Sequence, residues 1–448
     1  MARELKGKKV LVVGLGKSGL AAARLLAREG AQLAIADEKT EIGAAGDELK
    51  KLGATLHLGS LDPKVFASQD LVVTSPGVPL SSAAFGAARE KGVPVIGEIE
   101  LAASFIDEPV LAITGTNGKS TTTALTGHLC THAGLKTFTG GNLGRPLSER
   151  AMCERGDVVV VELSSFQLES IDRFHPRGAA FLNLTPDHLD RYPSHQAYGA
   201  AKARIFMNQS DRDFAVINAH SPDAMALSDG IKSLRYTFGH GSPVARGIRD
   251  LGGKLTLRLA DDMPDESYTV TAKSLRGVHN RENAMAAILL ARGFGVPKDK
   301  IQGGLDTYPG LPHRMELVRE LNGVEWVNDS KATNVDSTLV ALRSFDEGVI
   351  LIAGGRGKGA PYDPLVALAK GRIKAVLTVG EDAGNIQRAF EGVVPVVSCR
   401  ELQVAVERAL ALARKGDTVL LSPACASYDQ FKNFEDRGER FRMMVAAL

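Results

Sequence analysis

At 448 residues the chain is long enough for about three domains, taking roughly 150 residues for each. Its 44% hydrophobic and 24% charged residues are those of a globular protein with full cores, which excludes a disordered or low-complexity chain. The formal net charge of +2 gives no reason to invoke nucleic acid or a membrane surface, so any anionic substrate must be held by local basic groups. Cys130, Cys153, Cys399 and Cys425 lie far apart, without the paired spacing of a zinc or dithiol site, and read as reduced thiols. Met1 to Val10 is charged and leads straight into a strand, with no secretory segment. No uncharged apolar run reaches the roughly 18 residues of a membrane span. The expectation is a cytoplasmic protein without membrane insertion.

In chain order, Lys9 to Val13 predicts a strand, Gly19 to Glu29 a helix, Gln32 to Ala36 a strand and Leu71 to Thr74 another. That alternation predicts a parallel sheet covered by helices. The pattern halts near Asp107-Glu108-Pro109 and restarts with the apolar run Val110 to Ile113, followed by a helix from Thr122 to His132. Strands are expected at Asp157 to Glu162, Ala179 to Leu184 and Phe214 to Asn218, with a helix from about His195 to Met207. Between Tyr236 and Ala272 the period changes to two, which predicts a small antiparallel sheet attached to the α/β core. A helix from about Arg281 to Phe294 follows. Two prolines and a glycine break the chain at Tyr308 to Pro312. Beyond them strands are expected at Val324 to Asn328, Val349 to Ala353, Ala375 to Val379, Val394 to Val397 and Thr418 to Ser422. Helices are expected at Asn334 to Arg343 and Glu401 to Arg414. The result is an α/β chain of three domains, 1–108, 109–312 and 313–448.

The segment Thr114-Gly115-Thr116-Asn117-Gly118-Lys119-Ser120-Thr121 is the most informative. A glycine-rich turn between a strand and a helix aims backbone N–H groups at an anion, and the helix terminus adds about half a positive charge. Lys119 can then reach a terminal phosphate and the Ser120 hydroxyl can hold Mg²⁺. The loop is a shortened one, because Ile113 stands where the full pattern has its first glycine. A second glycine loop, Gly14-Leu15-Gly16-Lys17-Ser18-Gly19, also joins a strand to a helix, and Asp37 ends the next strand. This fingerprint suits a diphosphate but does not separate a nicotinamide dinucleotide from a UDP-sugar. The loop Ser75 to Pro79 could line the same crevice.

Glu162, at the end of a strand beside the phosphate loop, stands where a Mg²⁺ ligand belongs. His188, flanked by Asp187 and Asp190 in a polar turn, reads as a metal or phosphate group rather than a structural histidine. By spacing alone Lys202 is an ordinary lysine of an amphipathic helix, and Asn280 an N-cap of the helix after it. The clusters at Pro312 to Arg314 and Asn328 to Asn334 are dense in polar groups. Gly354 to Gly359 is a third glycine-rich turn, whose two cations suit an anion. Unaided, the residues describe a Mg-nucleotide enzyme with a second anionic substrate. A nucleotide-dependent oxidoreductase would leave the phosphate loop unexplained, and a non-catalytic nucleotide switch would leave Glu162 and His188 without a task.

Taken in order, these motifs resemble the Mur ligase family, the ATP-dependent amide-bond ligases of peptidoglycan precursor synthesis, over essentially the whole chain. Gly14 to Gly19, Ser75 to Pro79 and the stretch Ser422 to Gly438 are most similar to its D-glutamate-adding branch. The resemblance implies a Rossmann-like UDP-sugar domain, a P-loop ATPase-like central domain and a Rossmann-like C-terminal domain. It implies ATP and two Mg²⁺ ions as cofactors, UDP-N-acetylmuramoyl-L-alanine and D-glutamate as substrates, and a monomer. By motif, Gly115, Thr116, Asn117, Gly118, Lys119, Ser120 and Thr121 would hold ATP phosphates, and Asn280, Asn283, Arg314 and Asp329 would contact the nucleotide. Ser120 and Glu162 would bind one Mg²⁺, His188 and a carbamylated Lys202 the other, with Lys119, His188 and Lys202 as the catalytic group. Gly14, Leu15, Gly16, Lys17, Ser18, Asp37, Ser75 and Asn142 would hold the UDP-sugar. Lys331, Thr333, Lys358, Ser427 and Phe434 would surround D-glutamate. Glu38 departs from the small hydroxyl residue expected after Asp37.

Overall fold

The computed structural model describes residues 4–188, 191–241 and 245–448; Asp190, one of the acids expected beside His188, lies outside them. Two compact units result. The first comprises residues 1–269 and 282–305, the second residues 270–281 and 306–448.

The first unit holds two sheets. One is fully parallel, ordered Thr55–Leu58, Gln32–Asp37, Lys9–Val13, Leu71–Thr74, Val95–Gly97. Strand order reverses between Lys9–Val13 and Leu71–Thr74, and a crevice opens at the carboxyl ends of strands at such a switch point. Both loops expected to hold a sugar nucleotide, Gly14 to Gly19 and Ser75 to Pro79, begin there. The second sheet is ordered Glu266–Thr269, Lys254–Arg258, Gly247–Leu251, Leu234–His240, Phe214–Asn218, Gly178–Phe181, Val110–Thr114, Val158–Glu162, Thr137–Gly141. Its central strands are buried on both faces, which is why Val158 to Val161 is a run of four valines rather than an alternation.

The period-two segment corrects one expectation. Leu234–His240 and Gly247–Leu251 continue the central sheet in parallel, and only the last two pairings, those made by Lys254–Arg258, are antiparallel. Among the described residues these strands form the edge of the nine-stranded sheet and not a separate small one. The reversal occurs at Gly252 and Gly253, whose φ of 63° and 95° form a tight hairpin turn that side chains resist. A second correction concerns Asn280. The helix begins at Val278, so Asn280 lies inside it and donates its amide to the Arg276 carbonyl at 2.9 Å.

The second unit carries a six-stranded sheet ordered Glu316–Leu321, Val324–Asn328, Thr418–Leu421, Val349–Gly354, Ile373–Val379, Val396–Arg400. Only the Glu316–Leu321 edge is antiparallel. Helices on both faces give it two apolar cores, one around Leu351 and Phe390, the other around Trp326 and Phe441.

Candidate active site

The phosphate loop leaves the strand Val110–Thr114 and enters the helix Lys119–His132. Its N-cap is Gly118 at φ 83°, with no side-chain cap, so the first helical N–H groups stay available to an anion. A Cβ on Gly118 would lie 2.2 Å from the Asn283 side-chain oxygen, so a larger residue would have to displace Asn283 and hold a strained positive φ. Asn183, unassigned by sequence although it lies in a polar strand-end cluster, holds the loop. Its side-chain oxygen accepts from the N–H groups of Thr116 at 3.1 Å and Asn117 at 2.8 Å, and its amide donates to the Asn117 carbonyl at 3.1 Å. Lys119 turns back and donates to the carbonyls of Gly115 at 2.9 Å and Thr116 at 2.8 Å.

Sheet register brings the acid expected to hold a metal to the same place. Glu162 pairs with Ile113 on one side and Gly141 on the other, and is 2% exposed. Asn142 donates to its Oε1 at 2.7 Å, whereas Oε2 is buried with no hydrogen-bond partner. A buried, unsatisfied carboxylate oxygen is costly unless a cation meets it. The residues therefore fit a Mg²⁺ ion, which commonly takes one or two carboxylates and fills its shell with phosphate and water oxygens. Asn142, expected at the sugar, sits on this carboxylate.

Lys202 is the largest departure from the local reading. It is 1% exposed, donates to the Gly115 carbonyl at 2.8 Å and lies 4.6 Å from the centre of the Tyr198 ring. Burial, reinforced by the Lys119 cation and opposed by Asp187 and Glu162, lowers its pKa to about 7. An amine this acidic is substantially neutral near neutral pH, the state that can capture CO₂. His188 takes the left-handed backbone conformation, φ 52°, with its ring 4.8 Å from Phe166 and its Nε2 3.6 Å from Asp187.

In the parallel sheet the helix after Gly16 again has no side-chain cap. Asp37 accepts the Leu15 N–H at 2.6 Å and the Lys39 N–H at 2.9 Å, and Ser75 donates to the Gly14 carbonyl at 2.7 Å. These bonds tie both strand-end loops together. Gly16 and Lys17 are exposed, and Ser18 is half-buried.

In the second unit, Asp329 is buried, accepts from Ser422 Oγ at 2.8 Å and from the Met315 N–H at 3.2 Å, and has its pKa raised to about 6 by that burial. His313 and Met315, at φ 62° and 46°, flank Arg314 with two strained residues. Lys331 lies 5.6 Å from the Phe434 ring centre. Paired strand-like bonds between Arg356 and Ala426 bring the glycine loop of Lys358 beside the loop of Ser427. Arg356 itself is engaged by Glu381 at 3.0 Å, which leaves the exposed Lys358 as that loop's cation. Sequence reasoning gave Arg437 no role. It is buried and donates to Ser330 Oγ at 3.0 Å and to the carbonyls of Ser330 at 2.9 Å and Cys425 at 3.2 Å. It thereby joins three segments that carry expected binding residues.

Three family models match in succession: the Mur ligase MurD-like N-terminal domain over residues 8–97, the Mur ligase middle domain over 113–291, and the Mur ligase glutamate ligase domain over 313–425. The UDP-N-acetylmuramoylalanine–D-glutamate ligase of Myxococcus xanthus is 57% identical over 460 aligned residues covering 100% of both chains. Its counterpart in Anaeromyxobacter dehalogenans is 55% identical, covering 99% of this chain and 98% of that one. Among solved structures, the UDP-N-acetylmuramate–alanine ligase of Thermotoga maritima is similar with a TM-score of 0.60 at 18% identity, covering 98% of this chain and 99% of that one. The MurF ligase of Thermotoga maritima in complex with ADP gives 0.61 at 17% identity, covering 100% and 97%. At those identities the likeness is one of fold.

Proposed function

The chain belongs to the Mur ligase family, and from that premise we propose that it joins D-glutamate to UDP-N-acetylmuramoyl-L-alanine, converting ATP to ADP and phosphate. It is an ATP-dependent amide-bond ligase of peptidoglycan precursor synthesis. The observation that carries the reading is the 57% identity with a ligase of that name across the whole of both chains. The uncapped phosphate loop beside the unsatisfied oxygen of Glu162 supports it independently.

In this reading the alanyl carboxylate of the sugar nucleotide attacks the γ-phosphate of ATP and forms an acyl phosphate. The amine of D-glutamate then displaces phosphate. Gly115 to Thr121 bind the ATP phosphates, and Lys119 leaves its carbonyl partners to offset charge on the moving group. Ser120 and Glu162 would hold one Mg²⁺, and His188 with carbamylated Lys202 a second; bound there, the ions neutralise phosphate charge. The loops from Gly14 and Ser75, with Asp37, hold the sugar nucleotide. Asn142 orients Glu162 and stands at the edge of the same site. Asn280, Asn283, Arg314 and Asp329 serve the nucleotide, and Lys331, Thr333, Lys358, Ser427 and Phe434 the incoming amino acid. The three-domain division at 1–108, 109–312 and 313–448 follows this allocation of substrates, and a cytoplasmic monomer would suffice for it.

Phosphate release from ATP, measured with UDP-N-acetylmuramoyl-L-alanine against a panel of D- and L-amino acids, tests the assignment. Turnover with D-glutamate well above every other amino acid is expected. Preference for another amino acid would move the chain to a sibling activity.

A further inference from the structure

The first-domain loop Ser75 to Pro79 and the histidine assigned to phosphate or metal are joined by one side chain. Arg191 donates from one guanidinium nitrogen to the Pro76 carbonyl at 3.3 Å and from another to Glu169 at 3.0 Å. Its guanidinium lies 4.0 Å from the centre of the Phe166 ring, and that ring is 4.8 Å from the ring of His188. The backbone closes the same circuit, since the N–H groups of Arg191 and Tyr192 both donate to the His188 carbonyl at 3.0 Å. Glu169 also accepts from the Tyr192 hydroxyl, fixing the base of the cluster. Tyr192 packs 5.3 Å from Tyr198, whose hydroxyl lies 3.4 Å from Thr116 Oγ1 of the phosphate loop. At the far end, Ser75, next to Pro76, bonds the Gly14 carbonyl of the other sugar-nucleotide loop.

We propose that Arg191 is a positioning residue that couples seating of the sugar nucleotide in the first domain to the orientation of the His188 ring. The chemistry selects arginine. A planar guanidinium can stack on Phe166 while donating in its own plane to two acceptors on opposite sides, and the compact lysine ammonium cannot. His188 has a strained backbone and a half-exposed ring, so its orientation depends on the ring packed against it. A shift of the Pro76 carbonyl on ligand binding is passed through the guanidinium to Phe166 and so to His188. This rests on the reading of the Gly14 and Ser75 loops as the sugar-nucleotide site.

The test uses the full chain with selectively ¹⁵N-labelled histidine, His188→Gln serving to assign the resonance. UDP-N-acetylmuramoyl-L-alanine is added without ATP or Mg²⁺. In the wild type the His188 ring signals shift on addition. In Arg191→Lys, which keeps the charge, at least four-fifths of that shift is lost, the KM for the sugar nucleotide rises at least threefold, kcat falls about tenfold, and the ATP KM stays within twofold. Unchanged thermal unfolding of Arg191→Lys separates this outcome from general destabilisation, to which Arg191→Ala is more prone. Arg191→Lys with the wild-type shift and kinetic constants within twofold of wild type overturns the inference while leaving the ligase assignment standing. A wild-type enzyme without turnover on these substrates overturns both.

Discussion

The ammonium of Lys202 donates to the Gly115 carbonyl at 2.8 Å, the same oxygen that Lys119 reaches at 2.9 Å. Two cations thus converge on one backbone dipole in a buried corner, and the repulsion contributes to the lowered pKa of Lys202. Carbamate formation would turn one of the two into an anion and replace that repulsion with attraction.

Lys202→Ala is accordingly expected to lose nearly all turnover, with partial rescue by short carboxylic acids, which return an oxygen ligand without the advantage of tethering. Lys202→Arg should not rescue, since a guanidinium stays charged and cannot capture CO₂. Steady-state phosphate release decides the matter; a fully active Lys202→Arg enzyme would sink the carbamate.

Asn183→Ala removes the side-chain bonds to the Asn117 N–H and carbonyl, while the Thr116 N–H keeps its bond to the Asn183 backbone carbonyl at 3.0 Å. At about 1 kcal/mol for each lost bond, kcat/KM for ATP is expected to fall by about tenfold or more, with the KM for the sugar nucleotide nearly unchanged. Equal loss toward both substrates would mean that the side chain supports the fold at large rather than the loop.

Asp37→Ala should act on the other substrate. It frees the Leu15 and Lys39 N–H groups, which loosens the glycine loop. The KM for the sugar nucleotide should rise several-fold and the ATP KM change little. If both rise together, the separate assignment of the two glycine loops fails.

Glu98 gives a test of stability alone. It is 2% exposed, its Oε1 accepts the Ser148 N–H at 2.6 Å, and its Oε2 has no partner. Burial raises its pKa to about 7 from 4.5. Between those values the native state holds a proton that the unfolded chain has lost, so stability falls as pH rises across the window. The cost is complete above pH 7 and absent below about 4.5. Glu98→Gln should therefore match the wild type in urea denaturation near pH 4.5 and exceed it at pH 8 by up to about 3 kcal/mol. A difference independent of pH would show that the carboxyl is not the cause.

Much of the fold was legible because its signals are local. The strands at Lys9–Val13, Leu71–Thr74, Phe214–Asn218 and Val324–Asn328 begin and end where apolar runs meet turn residues. The loops at Gly14 and Gly115 were legible because Gly14, Gly115 and Gly118 adopt backbone angles that other residues resist. The period-two segment misled because antiparallel alternation appears equally at the edge of a large mixed sheet and in a small separate one. Asn280 misled because a polar residue near a helix start need not be its first.

The sequence by itself marked most of the central strands, the phosphate and fingerprint loops, and the polar groups at strand ends, but not the strands Thr55–Leu58, Val95–Gly97, Thr137–Gly141 and Glu316–Leu321. Periodicity and glycine placement act over a few residues, and they suffice for the features marked. Only the tertiary structure decided that Lys202 is buried, that Glu162 keeps one unsatisfied oxygen, and that Asn183 and Arg437 fasten the loops. Lys202 sits in a nine-residue helix with the pattern of a surface element, yet its ammonium meets a carbonyl 87 residues earlier. That meeting depends on the strand Val110–Thr114 lying between Gly178–Phe181 and Val158–Glu162, a sheet order set by long-range packing that no local pattern encodes.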